Sequence, residues 1–333
     1  MTTPFADVMR LINGYQVSQA LHVVAVLGIA DLLATGPRSS DDLAQATGTD
    51  AGSLYRAMRA LAAVAVFHES ADRHFSLTPM GTCLQSDATD PAAPWAVFIG
   101  RPYIWQAWSS LLHSVRTGET AFPAVHGSTV WEYRTKHPEE GAMFDAAMTA
   151  LSKDIAAAVV ATYDFAPFSC VVDVGGGQGA LLGGILAANP ALHGVVFDQP
   201  HVVARARPGL ERQGVAERCV VAAGNFFESV PWGDLLILKA ILHDWEDDEA
   251  HAILRTCRKA VGGAGKLLVI ERVLAEPNEG PDAKFADLNM LVGAGGRERS
   301  AEEFASLLAP AGFLLTRIMP TSTRIAIIEA VCA

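Results

Sequence analysis

From Ser169 onward, short apolar runs alternate with segments of helical composition, and this alternation constrains the fold more than any other feature. The runs are CVVDV at 170–174, HGVVFD at 193–198, CVVAAGN at 219–225, DLLILK at 234–239 and GKLLVIE at 265–271. Continuous apolar strands separated by helices predict a parallel sheet that is covered on both faces. Two further runs, at 313–320 and 323–331, are joined by too few residues for a crossover, so they predict an antiparallel hairpin. The predicted fold class is α/β, a Rossmann-like doubly wound sheet closed by an antiparallel C-terminal hairpin.

Residues 1–95 have a different pattern. Apolar residues recur at helical spacing over 5–34, two short helical segments follow, and FHESADRHFSLT at 67–78 predicts two short strands around a polar turn. Ser40 is expected to cap the first short helix and Gly48 to end it. This order of helices and hairpin predicts a mostly helical, winged-helix-like domain.

The charge balance limits the partners that this domain can have. The chain has a net charge of −11 and no run of Lys or Arg, which disfavours nucleic acid and anionic membranes. The second short helix offers only Arg56 and Arg59, so we interpret residues 1–95 as the dimerisation domain of a homodimer. A winged-helix regulator that senses a small molecule is the alternative.

The longest apolar stretch and the cysteines indicate the compartment. Residues 17–33 are too short and too polar to span a bilayer, and no signal-peptide pattern precedes them. The five cysteines are scattered, without the spacing of metal ligands. These observations predict a cytoplasmic protein with reduced thiols and without a metal ion.

Between these two parts, the chain is rich in helix formers and aromatic residues. Four of the six tryptophans lie within residues 91–150. Aromatic residues on helices are more often core than pocket, but a pocket that they line would suit a flat aromatic ligand. We therefore predict three parts: 1–95 for dimerisation, 96–160 as a helical, aromatic-rich linker and substrate-covering region, and 161–333 as the catalytic domain.

The sequence DVGGGQG at 173–179 lies where a strand turns into a helix. Glycines at such a turn allow the backbone to approach a ligand, and the free N–H groups at the helix start attract negative charge. Asp173, Gly175 and Gly177 are therefore candidate cofactor-binding residues, and Asp198 at the end of the next strand can accept both hydroxyls of a ribose. The spacing from Gly175 to Ala180 also fits a dinucleotide loop, which leaves a nicotinamide-dependent oxidoreductase as an alternative.

Further polar side chains follow the later strands on the same predicted edge of the sheet. Asn225 and Phe226 could bind and stack on a base. His243 ends another strand and could exchange a proton at neutral pH. Glu271 and Glu298 are placed where each could hydrogen-bond its imidazole and fix the tautomer, as an acid does in a hydrolase triad.

Five segments of this half occur in the order and spacing of a known family. They are VVDVGGGQG, VVFDQPHVV, LLILKAILHDWEDDEA, LLVIERVL and GGRERSAEEF. Together they resemble the S-adenosylmethionine-dependent O-methyltransferases, which include plant caffeate-type enzymes and bacterial natural-product tailoring enzymes. HGSTVWEYRTKHPEEGAMFDAAM resembles the dimerisation and substrate-covering region of the same family, so the resemblance spans nearly the whole chain.

The resemblance implies a role for each candidate in binding S-adenosyl-L-methionine. Gly175 is implied at the methionine end, Asp198 at the ribose and Lys239 in the neighbourhood of the cofactor. Asn225 and Phe226 are implied at the adenine, where many relatives carry Asp and Met, so we expect an altered affinity for the cofactor.

The resemblance also implies catalytic and substrate-binding roles. His243 is implied as general base with Glu271 and Glu298 as its orienting partners. Substrate contacts are implied for Met148, Asn289 and Met290.

The function expected from the resemblance is methyl transfer to a hydroxyl of a small aromatic acceptor in bacterial secondary metabolism. Ala240 stands where plant relatives tend to have an aromatic residue, which predicts a more open pocket near His243. N-methylation, or a reaction other than methyl transfer with the same cofactor, stays an alternative.

Overall fold

The computed structural model describes residues 3–333, apart from the side chain of Lys153. Backbone contacts divide the chain into two compact units. The first contains the chain up to Trp105 together with Ala142–Leu151, and the second contains Gln106–Gly141 and Ser152–Ala333. The division into 1–95, 96–160 and 161–333 stays a prediction.

The first unit is mostly helical and contains one small sheet. Its helices are α1 Pro4–Ile12, α2 Gly14–Val26, α3 Ile29–Leu32, α4 Ser40–Thr47, α5 Ala51–Ala63, α6 Pro79–Thr82, α7 Ala93–Ile99 and the first part of α8 Pro102–Ser109, and its strands are β1 Arg38–Ser39, β2 Phe67–Glu69 and β3 His74–Leu77. The strands pair antiparallel in the order β1-β3-β2. Ile29, Leu43, Met58 and Phe75 form the centre of its core. The predicted winged-helix-like domain is confirmed.

The caps of α4 agree with the sequence at one end only. Gly48 ends the helix in the left-handed conformation, with φ of 65°, as predicted. Ser40 is wrong as the N-cap, because Ser39 Oγ accepts the backbone N–H of Asp42 at 3.1 Å and Ser40 is the first helical residue. The N-cap residue lies just before the first helical residue and accepts an N–H two or three residues later; Ser39 holds this position, and Ser40 is buried.

The second unit contains the large sheet and the helices that cover it. Its helices are the remainder of α8, α9 Leu111–Thr117, α10 Ala121–His126, α11 Val130–Lys136, both ends of α12 Pro138–Thr162, α13 Ala180–Ala188, α14 Pro200–Val203, α15 Arg207–Arg212, α16 Asp247–Ala260, α17 Pro281–Val292 and α18 Ala301–Leu308. Its strands are β4 Cys170–Val174, β5 His193–Asp198, β6 Cys219–Ala223, β7 Gly233–Lys239, β8 Val261–Glu271, β9 Phe313–Pro320 and β10 Ala326–Cys332. Single 3₁₀ turns occur at Ala216–Arg218, Leu242–Asp244 and Ala309–Ala311.

The seven strands form one sheet in the order β6-β5-β4-β7-β8-β10-β9. The first five are parallel, and β10 lies antiparallel between β8 and β9. The predicted α/β sheet with its antiparallel C-terminal hairpin is therefore confirmed. Because parallel strands end at the same edge, Val174, Asp198, Lys239 and Glu271 lie along one edge of the sheet.

Both faces of this sheet are covered, which explains why its strands read as continuous apolar runs. On one face, Val171 and Ile237 pack with Val159 of α12 and Leu182 of α13. On the other face, the strands pack with α16 and α18, which contribute Ile253, Leu254 and Phe304. No helix within residues 3–333 has both the length and the apolar composition needed to cross a membrane.

Two helical segments differ from the sequence interpretation. The helix expected over 202–213 is two short helices, α14 and α15, and Pro208 lies in the first turn of the second. Helix α17 has no counterpart among the predicted elements, because apolar and polar residues are mixed around it rather than divided between two faces.

Candidate active site

The glycine-rich turn after β4 has the backbone conformation that its sequence predicts. Gly175 and Gly177 have φ of 71° and 60°, which L-residues with a side chain rarely adopt. A Cβ atom on Gly175 would overlap the Ile241 side chain and lie 3.7 Å from Cε1 of Phe226, whereas the space around Gly177 is open. The turn therefore has closely packed surroundings at one glycine and accessible backbone at the other.

Two carboxylates accompany this turn. Asp198 accepts the N–H of Gly177 at 2.9 Å through Oδ2 and the N–H of Gln199 at 2.7 Å through Oδ1. Asp173 is 1% exposed, and its Oδ2 has no hydrogen-bond partner. Burial raises the pKa of Asp173 to about 7, against the opposing effect of the Lys239 charge. A buried carboxylate oxygen without a partner calls for a donor, which a ligand with hydroxyl or ammonium groups supplies.

Phe226 lies beside the glycine turn, but Asn225 is engaged locally. The Phe226 ring meets Phe227 and Trp245 edge to face, with centroids 4.9 and 6.1 Å apart. Asn225 accepts the Phe227 N–H at 3.0 Å and donates to Glu228 Oε1 at 3.1 Å. An adenine contact by Asn225 would thus have to coexist with these bonds or replace them.

His243 lies in the 3₁₀ turn that follows β7, within residues 241–245, which we name the His243 loop. The residue is 8% exposed. Its Nδ1 lies 3.1 Å from Oε1 of Glu298, and its Nε2 lies 3.7 Å from Oδ1 of Asp244. An ionised Glu298 can only accept, so Nδ1 donates and Nε2 is the nitrogen that can lose or gain a proton.

Glu271 does not bond to the imidazole, contrary to the sequence interpretation. Its Oε1 accepts the backbone N–H groups of Ile241 at 3.0 Å and His243 at 3.2 Å, and its Oε2 has no partner. The chain bends sharply after β7, where Ala240 has a φ of 53°. This bend directs the backbone N–H groups of the loop, rather than the imidazole, towards the Glu271 carboxylate at the end of β8. Glu271 thus holds the backbone that carries His243.

The charges around His243 determine its protonation. Burial favours the neutral ring, but the Asp244 carboxylate, the hydrogen bond to Glu298 and the Glu271 charge outweigh burial and raise the pKa of His243 to about 9. In the ligand-free protein at neutral pH, the His243 ring is therefore mainly the positively charged imidazolium, with a proton on each nitrogen.

Lys239 is a buried cation whose charge acts on both Asp173 and Asp244. Its Nζ donates to Ser152 Oγ at 2.8 Å. Burial lowers the pKa of Lys239, and the charges of Asp173 and Asp244 act in the opposite direction. The lysine thereby links the glycine-turn carboxylate to the carboxylate beside His243 electrostatically.

The sequence interpretation omitted two charged residues that lie beside the imidazole and its Glu298 partner. Asp244 faces Nε2, and the Arg272 guanidinium lies 3.5 Å from Oε1 of Glu298. Asp244 directly follows His243, and Arg272 directly follows Glu271, and the sequence had identified both of these preceding residues. That adjacency was the available signal, but the sequence does not show which way a loop side chain points.

The residues implied at the substrate are divided between the units. Asn289 and Met290 lie on α17 in the second unit, where Asn289 Oδ1 accepts from Trp108 Nε1 at 3.2 Å. Trp131 stacks on Trp245 of the His243 loop, with ring centroids 6.0 Å apart. Met148 belongs to the part of α12 in the first unit. Among the described residues, no group of three His, Cys, Asp or Glu side chains is arranged to hold a metal ion.

Comparison with known proteins identifies the family. Residues 108–314 match the model of the O-methyltransferase domain, and residues 9–87 match the O-methyltransferase dimerisation domain. The chain is 44% identical to phenazine O-methyltransferase PhzM of Lysobacter antibioticus, over 97% of this chain and 94% of the relative. It is 30% identical to phenazine-1-carboxylate N-methyltransferase of Pseudomonas aeruginosa, over 96% of this chain and 95% of that enzyme.

Solved structures agree with this family. The structure of LaPhzM matches with a TM-score of 0.96 at 42% identity, covering 100% of both chains. NcsB1 from neocarzinostatin biosynthesis, in complex with S-adenosylmethionine and 2-hydroxy-5-methyl naphthoic acid, matches with a TM-score of 0.80 at 34% identity, covering 95% of this chain and 96% of that one.

The fold and the site define a methyltransferase that uses S-adenosylmethionine. The chain belongs to the O-methyltransferase family, together with bacterial natural-product enzymes that methylate oxygen or nitrogen. The predicted family, cofactor and dimerisation domain are confirmed. The predicted roles of individual site residues stay predictions.

Proposed function

We propose that this protein transfers a methyl group from S-adenosylmethionine to a hydroxyl of a small aromatic acceptor, in bacterial secondary metabolism. The observation that carries the proposal is the buried His243 imidazole, whose Nδ1 is held by Glu298 at 3.1 Å. This bond leaves Nε2 to exchange the proton of an acceptor hydroxyl. A nitrogen with a free lone pair needs no such base, so the cluster favours oxygen over nitrogen as the acceptor.

The residues around the glycine turn fit the cofactor. Asp198 would accept hydroxyl groups of the ribose, Phe226 would stack on the adenine beside Asn225, and the unpartnered Oδ2 of Asp173 would accept from a donor on the cofactor. When bound, S-adenosylmethionine supplies an electrophilic methyl group on a cationic sulfonium, whose charge disfavours a protonated imidazole in the same site. The Lys239 charge would oppose burial, which raises the pKa of both Asp173 and Asp244.

The chain's own groups move the proton. A phenol has a pKa of ~10, and the sulfonium charge shifts His243 towards its neutral form, in which Nε2 can accept the proton of the hydroxyl. Glu298 and Asp244 stabilise the imidazolium that forms. Glu271 keeps the His243 loop in place while the ring changes its charge.

Relatives with both acceptor types make N-methylation the second candidate. The chain is similar to an O-methyltransferase and to an N-methyltransferase that act on phenazines. Incubation with S-adenosylmethionine and matched pairs of aromatic phenols and amines, read by mass spectrometry, tests the proposal. We expect methylated phenols; methylation confined to the amines would contradict oxygen as the acceptor.

The pKa of His243 gives a direct prediction. In the ligand-free protein we expect the His243 imidazole to titrate near pH 9, read by NMR and assigned by its absence from His243→Gln. Replacing Glu298 with Gln should lower this midpoint, because it removes a negative charge that faces the ring. A midpoint near ~6.5 in the native protein, the ordinary value, would contradict the cluster's effect.

The same shift links the cluster to stability. The pKa of His243 is raised in the folded state, so its charged interactions contribute to the free energy of unfolding. This contribution is fully present below pH ~6.5 and is lost as the pH rises through about 9. The difference in free energy of unfolding between the native protein and Glu298→Gln should shrink over that range.

We further propose that the protein is a homodimer through its first unit. Helix α1 has no buried residue, and it exposes Phe5, Val8, Leu11 and Ile12, with Leu11 73% exposed. An apolar helix face of this kind requires a partner surface, and a second copy supplies one.

Changing α1 should therefore alter the assembly. We expect Leu11→Asp to shift the mass measured by light scattering from dimer towards monomer. Leu112→Asp, at a 58% exposed leucine of α9, is the matched control and should stay dimeric. A dimer that persists in Leu11→Asp at low micromolar concentration would argue against this interface.

A further inference from the structure

Residues 295–300, GGRERS, run along the His243 loop, and we name them the GGRERS segment. Glu298 supplies the hydrogen bond to the imidazole. Gly296 is buried, and a Cβ atom there would overlap the carbonyl oxygen of His243 and the backbone nitrogen of Trp245. The segment and the loop are therefore in direct backbone contact, and only glycine permits this approach.

Arg299 forms a further link between the two. Its side chain is 0% exposed. Nη1 donates to the carbonyl oxygen of Leu242 at 2.9 Å, and Nη2 donates to that of Trp245 at 3.0 Å. One planar guanidinium thus holds both ends of the turn that contains His243.

The guanidinium is itself fixed. Nε and Nη2 donate to Asp247 Oδ1 at 3.2 and 2.8 Å. The backbone of Arg299 bridges to Val273 just beyond β8, and its carbonyl accepts the N–H of Leu274 at 3.0 Å. The planar fork of an arginine can satisfy a carboxylate and two carbonyls at once, which a lysine ammonium cannot do with the same geometry.

The two sides of the loop are held by opposite charges. Glu271 accepts two of its N–H groups, at Ile241 and His243, while Arg299 donates to two of its carbonyls. We propose that Arg299 is a positioning residue for the methyl transfer, which fixes the backbone of the His243 loop so that Nε2 meets the acceptor hydroxyl. This inference rests on the proposed function of His243.

Arg299→Met tests the proposal. Misplacing a reacting group by about 1 Å costs ~10²-fold in rate, so we expect the kcat of Arg299→Met to fall by about that factor. Because the side-chain hydrogen bonds of Arg299 go to Asp247, Arg297 and the His243 loop rather than to the glycine turn, the Kd for S-adenosylmethionine, measured by calorimetry, should stay within about threefold. Amides of residues 241–245 should exchange with deuterium at least ~10-fold faster.

Arg258→Met is the matched control. Arg258 also donates to a backbone carbonyl, from Nε to Gly312 at 3.1 Å, but it lies away from the loop. Its loss should leave kcat and the exchange of residues 241–245 unchanged. Arg299→Lys keeps the positive charge but loses the planar guanidinium that bonds to both carbonyls and Asp247. If these bonds, rather than the charge, position the loop, the kcat of Arg299→Lys should resemble that of Arg299→Met.

Two results would overturn the proposal. One is native exchange of the loop in a folded Arg299→Met, and the other is native kcat despite faster exchange. If Arg299→Met does not fold, Asp247→Asn replaces it, since Asp247 is 44% exposed and its loss frees the guanidinium to move. A native kcat and native loop exchange in Asp247→Asn would then refute the role. Failure of the proposed function is distinguishable, because it would appear as native turnover in His243→Ala, where Arg299 is intact.

Discussion

Replacing His243 with Ala is expected to lower kcat on a phenolic acceptor by ~10² to 10⁴, the usual contribution of a placed general base. The reason is that a phenol with a pKa of ~10 is almost entirely protonated at neutral pH and is then a weak nucleophile. The Kd for S-adenosylmethionine should change little, because the ring bonds to Glu298 rather than to the glycine turn. Initial rates at saturating cofactor, with calorimetry for binding, give both quantities.

A more acidic acceptor separates base catalysis from a structural effect. A nitrophenol that is already ionised at neutral pH has no proton to lose, so His243→Ala should impair its methylation far less than that of the unsubstituted phenol. His193→Gln, at an exposed histidine in the same unit, is the control for histidine loss. Equal losses on both acceptors would show that His243 acts by packing rather than as a base.

Replacing Asp198 with Ala is the second large effect. We expect the Kd for S-adenosylmethionine to rise by ~10- to 100-fold, since hydrogen bonds to a charged group contribute ~1.5–3 kcal/mol each. Two causes combine: the ribose loses its acceptor, and the Gly177 N–H loses the carboxylate that it donates to at 2.9 Å. Calorimetric titration of the ligand-free protein measures this change.

Asp198→Asn and Asp164→Ala sharpen the result. The asparagine keeps one oxygen that can accept the N–H of Gly177. The affinity of Asp198→Asn for S-adenosylmethionine should therefore lie between those of the native protein and Asp198→Ala. Asp164 accepts a local backbone N–H of Ala166 and lies outside the glycine turn, so its replacement controls for the loss of a carboxylate. An unchanged cofactor affinity in Asp198→Ala would refute the ribose assignment.

The fold could be predicted well from the sequence because its signals are local. Apolar runs such as CVVDV mark buried parallel strands, and the short link before the last strand permits only an antiparallel partner. Helix α17 was missed because its apolar residues do not follow one face. The serine pair at the start of α4, Ser39 and Ser40, shows the same limit, since the cap depends on a one-residue difference in backbone conformation.

The site was predicted as a set of positions but not as a set of contacts. His243 does not end a strand, because β7 ends at Lys239, but His243 and Glu271 do lie at one edge of the sheet, and Glu298 does meet the ring. The atoms to which Glu271 bonds depend on the bend after β7, which the sequence does not encode at short range. Arg299 was overlooked because its partners, Leu242 and Trp245, are backbone carbonyls more than fifty residues away.

Asp247 illustrates a residue with two roles. It lies in the first turn of α16 with Asp248 and Glu249, where acids are favoured by the helix dipole. It also binds Arg297 and Arg299, which ties the helix start to the GGRERS segment. A structural role at a helix end thus coexists with a link to the His243 loop.

Methyl transfer to an aromatic oxygen is tested most directly by incubating the protein with S-adenosylmethionine labelled with ¹³C in its methyl group and an arene that carries both a hydroxyl and an amine. The chemical shift of the transferred methyl carbon distinguishes an oxygen-bound from a nitrogen-bound product. We predict an oxygen-bound methyl signal that is strongly reduced in His243→Ala; a nitrogen-bound methyl, formed equally by both proteins, would contradict the account.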